Sequence, residues 1–119
     1  MANENFVSGL MGFIRSSPTP FHAVASLRAQ LQGFTELHEA DKWKVSPGGK
    51  YFVTRGDSSL IAFVVGNQVP TTSGFRLVGA HTDSPCLKLR PVPTLADRHY
   101  LRLSVEVYGG ILLSTWFDR

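Results

Sequence analysis

An α/β fold is predicted by three features of this sequence. Apolar residues recur at helical spacing near the N-terminus, short apolar runs bounded by glycine and proline follow, and strict alternation appears further on. The expected order is two helices, a mixed sheet and then additional strands. At 119 residues, with 43% hydrophobic and 11% aromatic side chains, the chain has the material for one globular core.

Phe6, Val7, Leu10, Met11 and Ile14 lie three and four residues apart, which puts them on one stripe of a helix from about Asn3 to Arg15. Ser16-Ser17-Pro18-Thr19-Pro20 breaks it and starts a second helix, with Thr19 as N-cap and Pro20 at the first helical position, where a missing N–H costs nothing. Gly33 is expected to end that helix, and Phe21, Val24, Leu27 and Leu31 to form its buried stripe.

Beyond Phe34, Trp43 and Val45 alternate with lysines before the turn Ser46-Pro47-Gly48-Gly49. Tyr51 to Thr54 and Ser59 to Val65 read as strands around a hairpin tip at Gly56-Asp57, the second apolar enough to be central in a sheet. After a loop from Gly66 to Gly74, Phe75 to Ala80 is predicted as the strand that delivers His81 at its C-terminal end. Leu87 to Arg90 alternates until Pro91-Val92-Pro93-Thr94, where the strand is expected to stop. Tyr100 to Tyr108 alternates as a two-faced strand before Gly109-Gly110, and the run from Ile111 to Arg119 is strongly apolar and ends like a cut segment.

The formal charge of +3 comes from scattered lysines and arginines rather than a dense basic stripe, so nucleic acid is not an expected partner. No run approaches the ~18 apolar residues of a membrane span, and no membrane partner is expected. The N-terminus lacks the basic start and apolar core of a signal peptide. A single cysteine, Cys86, rules out an internal disulfide, and a cytoplasmic location is the expectation.

Chemistry concentrates in Val78-Gly79-Ala80-His81-Thr82-Asp83-Ser84-Pro85-Cys86. A neutral imidazole can bind zinc through one ring nitrogen while a carboxylate accepts a hydrogen bond from the other N–H and fixes the ring. Chance alone puts Asp two residues after one of four histidines in about one chain in five, so the spacing leaves both a structural histidine and a metal ligand open. A zinc site needs about three or four protein ligands, and partners for His81 are hard to find. His22 reads as a polar or capping residue at the second helix start, His38 and His99 as surface residues, and Cys86 as a small buried hydrophobe. Ser84 has no evident base, and the glycine pairs lack the setting of a phosphate loop.

Several separated motifs nevertheless stand in a recognisable order. Gly79-Ala80-His81-Thr82-Asp83-Ser84-Pro85-Cys86-Leu87, Val105-Glu106-Val107-Tyr108-Gly109-Gly110 and Ser114-Thr115-Trp116-Phe117-Asp118-Arg119 closely resemble the aspartyl aminopeptidase family of zinc metallopeptidases, bacterial members above all. Ser17-Pro18-Thr19-Pro20-Phe21-His22-Ala23-Val24 and Pro47-Gly48-Gly49-Lys50-Tyr51 are similar to its opening segment, so the resemblance covers nearly the whole chain.

The resemblance implies a two-zinc site in which His81 binds metal and Asp83, within the catalytic machinery, orients it. It implies a peptide substrate, hydrolysis of the N-terminal peptide bond with acidic N-terminal residues preferred, and homo-dodecamers formed through an inserted domain. On this reading 1–92 is the N-terminal part of the catalytic domain and 93–119 the start of the β-rich insert. The bridging aspartate, the general-base glutamate and the other ligands are expected beyond Arg119, so the chain alone is expected to be inactive. The rival expectation from the residues is a non-catalytic β-rich binding or assembly module with an apolar contact surface near Trp116.

Overall fold

Helices α1 (Ala2–Ser16) and α2 (Pro20–Gln30) form where the apolar spacing predicts them in the computed structural model, which describes residues 2–116. Phe117, Asp118 and Arg119 of the last quoted motif lie outside the described residues. The start of α2 is fixed by Thr19, which has an extended backbone and whose side-chain oxygen accepts the His22 N–H at 3.4 Å, with Pro20 following at the first helical position. His22 adds a ring contact, its Nδ1 lying 2.7 Å from Thr19 Oγ1. The helix ends earlier than Gly33: Leu31 caps it through an N–H to the Arg28 carbonyl, and Gly33 takes left-handed φ (+79°) in the turn beyond.

Packing differs from the predicted stripe. Ala23 and Val24 are the buried positions of α2, whereas Phe21 stays 58% exposed. In α1, which packs against α2, the whole stripe from Phe6 to Ile14 is formed but open to solvent.

Strands β1 (Thr35–Leu37), β2 (Lys50–Arg55) and β3 (Ser59–Val64) make a mixed sheet in the order β1-β2-β3, parallel between the first two and antiparallel between the last two. The central strand is therefore β2, not the more apolar β3. Tyr51, Phe52 and Val53 of β2 are buried, while Ile61 and Val64 of the edge strand β3 are exposed. Having a hydrogen-bonded neighbour on each side decides centrality, and hydropathy alone does not report it. The β2–β3 connection turns at Gly56 and Asp57, both at positive φ, with Ser58 N–H donating to the Arg55 carbonyl at 3.3 Å, a geometry that suits the twist of antiparallel strands.

Trp43 and Val45 do not form a strand. Trp43 Nε1 instead donates to the His38 carbonyl at 2.8 Å, and its ring stacks on Phe63 at 6.2 Å between centroids. Phe63 also meets the Tyr51 ring at 5.6 Å. The Ser46 hydroxyl and N–H, at 3.3 and 3.2 Å from the Tyr51 oxygen, hold that phenol below its usual pKa.

Gly49 explains the close turn before β2, because a Cβ there would stand 2.5 Å from the Tyr51 ring and hydroxyl. Tyr51 is pinned by Phe63 and Ser46, so it cannot swing away cheaply. Gly49→Ala is expected to cost about 1–3 kcal/mol, the range for overpacking a tight site, as a lower urea midpoint at unchanged m.

Arg55 at the end of β2 grips Glu39 through Nε to Oε1 and Oε2 at 2.9 and 3.2 Å and Nη2 to Oε1 at 2.6 Å. These hydrogen bonds lower the Glu39 pKa and raise that of Arg55. Because the folded carboxyl value is depressed, the pair's contribution is present above the unfolded glutamate value and lost as pH falls through the folded one. Both side chains are well exposed, so the expected signal is small and salt-sensitive: a shallow fall in melting temperature across that acid window, absent in Glu39→Gln.

The loop from Gly66 to Gly74 contains one helical turn, Pro70–Ser73. The strand expected at Phe75 to Ala80 is absent, and Phe75, Leu77 and Val78 are exposed. An apolar extended run becomes a strand only by pairing its N–H and C=O groups, and no described strand pairs with it.

The chain divides into two compact units, the first up to Thr82 and the second from Asp83. The second is built on β4 (Cys86–Asp97) and β5 (Tyr100–Tyr108), an antiparallel pair turning at Arg98 and His99. β5 matches its predicted bounds, although only Ser104 is partly covered. β4 does not stop at Pro91. It continues to Asp97 because its register shifts between Leu89, opposite Val105, and Thr94, opposite Leu103, leaving Arg90, Pro91, Val92 and Pro93 against Ser104 alone. Prolines lack the N–H that a ladder needs, and a bulge is where a strand can hold them. A 3-10 turn, Leu113–Trp116, follows.

Candidate functional site

His81 lies on an irregular exposed segment rather than at a strand end. Its neighbour Thr82 ties that segment down within the first unit, donating its hydroxyl to the Ser58 carbonyl at the β2–β3 tip over 2.7 Å.

Asp83 opens the second unit and is half-buried. Its Oδ2 accepts the Tyr108 hydroxyl at 2.9 Å. That bond, and then the negative charge of the carboxylate, raises the Tyr108 pKa, since both favour the neutral phenol. Tyr108 ends β5 opposite Cys86, the first residue of β4, and Lys88 Nζ sits 5.7 Å from the Tyr108 ring centroid. Gly109 follows at φ +74°, and a Cβ on it would meet Pro85 at 3.4–3.5 Å. The segment Asp83-Ser84-Pro85 thus runs on beside Tyr108-Gly109 beyond the paired ends of β4 and β5.

The remaining candidates behave as capping or structural groups. His22 belongs to the α2 cap, and Cys86 is a partly covered ladder residue. Among the described residues no group of three or more His, Cys, Asp or Glu could hold a metal. An imidazole at His81 and a carboxylate two residues on suit one corner of a zinc site, a ligand and its orienting partner, but they do not complete a ligand set. Among the described residues no helix is long and apolar enough to cross a membrane.

The Tyr108–Asp83 hydrogen bond is the contact at this site that sequence reasoning missed. The signal was a tyrosine ending a two-faced strand before two glycines, but the carboxylate it bonds is 25 residues away.

Residues 13–119 match the profile of the family described as aminopeptidase I zinc metalloprotease (M18). A probable M18 family aminopeptidase 2 of Pseudomonas putida is 55% identical over 114 residues, covering 94% of this chain and 27% of the relative. Among solved structures, mApe1 of Chaetomium thermophilum superposes with a TM-score of 0.88 at 37% identity, over 98% of this chain and 27% of that one. The S. cerevisiae mApe1 dodecamer gives 0.87 at 31% identity, over 100% and 28%. The chain spans about a quarter of the length of the relatives it matches. With a profile match that takes in almost all of the sequence, including His81, Asp83 and Tyr108, this α/β chain belongs to the M18 family of aminopeptidase I zinc metalloproteases.

Proposed function

We propose that the chain is the N-terminal part of a zinc-dependent aminopeptidase that releases the first residue of peptides, with acidic N-terminal residues preferred. His81 is a ligand of a two-zinc site, and Asp83 accepts a hydrogen bond from its other ring N–H. The observation that carries this reading is the family match across 13–119, which contains His81 and an Asp83 whose carboxylate is already held by Tyr108.

When bound, zinc polarises a scissile carbonyl and lowers the pKa of a bound water. The chain's own contribution is to supply one neutral imidazole and to keep a carboxylate oriented for it. On this reading the 119-residue chain alone is inactive. Residues 1–92 are assigned to the catalytic domain and 93–119 to an inserted oligomerisation domain. The protein works in the cytoplasm as a homo-dodecamer, the assembly for which the S. cerevisiae relative is named.

The test is made on a protein of the relatives' full length that carries this sequence. About two zinc ions per chain are expected, with peptidase activity lost to a chelator and restored by zinc. Folded, metal-free protein whose activity ignores the chelator would overturn the proposal.

A further inference from the structure

Two of the motifs quoted above lie far apart in sequence, yet the second unit brings them side by side. Tyr108 donates to Asp83 Oδ2 at 2.9 Å, and Gly109, whose left-handed φ of +74° favours glycine, lies in ordinary contact with Pro85. Tyr108 is also fixed from its own side, by the ladder to Cys86 and by Lys88 over its ring. A hydroxyl held at a strand end is a better anchor than one on a loop, because the paired backbone limits how far it can drift.

We infer that Tyr108 is a positioning residue for Asp83, its hydroxyl at the end of β5 holding the carboxylate. The inference rests on the proposed role of Asp83 as the carboxylate that orients a zinc ligand. A carboxylate has about four lone-pair sites, so accepting from Tyr108 at Oδ2 restricts its rotation without exhausting its capacity as an acceptor. Rotation is what matters: an orienting carboxylate that turns away no longer holds the ring it serves, and partners of this kind change metal affinity or activity about 10–100-fold. Tyr108 acts one step further out, so an effect near the lower end is expected.

A double-mutant cycle in the full-length protein tests this, with two readouts: kcat and KM for peptide hydrolysis, and the rate at which zinc passes to a competing chelator. Tyr108→Phe is expected to lower kcat about 10-fold with KM nearly unchanged and to speed zinc release by a similar factor. In an Asp83→Ala background the same substitution is expected to change either readout less than about 2-fold, because its effect passes through the missing carboxylate. Tyr108→Phe acting equally in both backgrounds, or having no effect in the unaltered one, overturns the positioning role alone. Asp83→Ala without effect on either readout overturns the proposed role of Asp83 and the inference with it.

Discussion

With His81 as the proposed zinc ligand, replacing it by alanine in the full-length protein is expected to lower the zinc content below the proposed about two ions per chain. Peptidase activity should fall by more than the ~10–100-fold seen when only an orienting partner is removed. The reason lies in ligand number: a zinc site has about three or four protein ligands, and losing one opens the coordination sphere and weakens the hold on the ion. The fold should survive, because His81 is exposed and lies outside the strands. Metal analysis with parallel thermal melting separates the two effects. A variant with unchanged zinc and unchanged turnover would remove His81 from the site, while lost activity with a collapsed melting transition would assign it to structure instead.

Phe52→Ala is the substitution expected to cost most in stability. Phe52 is 7% exposed in the middle of β2, with β1 on one side, β3 on the other and the Arg28 guanidinium 5.9 Å from its ring centre. Truncating a buried phenylalanine removes its transfer free energy and leaves a cavity that the neighbours fill only in part, at about 3–5 kcal/mol. Set against a total stability of about 5–15 kcal/mol, that raises the unfolded fraction by roughly a hundredfold to a few thousandfold. Ile61→Ala, on the next strand but 66% exposed, provides the contrast and should change the stability of the 119-residue chain by no more than about 0.5 kcal/mol. Equal losses at the two positions in urea unfolding would mean that β2 is not the core of this unit.

The contrast between these strands also shows what could be read from the sequence. Thr19-Pro20 marked the start of α2 because a cap and a first-turn proline act within a few residues, and Gly56-Asp57 marked a hairpin tip for the same reason. Which strand is central could not be read, since β1 pairs with β2 across a separation that periodicity does not encode. Phe75 to Ala80 has the composition of a strand, but without a paired neighbour its backbone makes no ladder. At the candidate site, His81 and Asp83 stood out because their chemistry is local. Tyr108 did not, because its contact with Asp83 exists only after β4 and β5 have paired.

The prolines of β4 have a consequence for the company this strand can keep. A two-stranded ribbon among the described residues offers an outer rim along β4 that, if it ran unbroken for twelve residues, would invite a foreign strand to zip onto it. Pro91 and Pro93 have no N–H to offer a partner in the middle of β4, and the bulge opposite Ser104 breaks its register. What is left are two short tracts, Cys86 to Leu89 and Thr94 to Asp97, out of step with one another. A stray strand in register with one is out of register with the other, so the same residues that bend the ribbon also guard it against fibrillar growth.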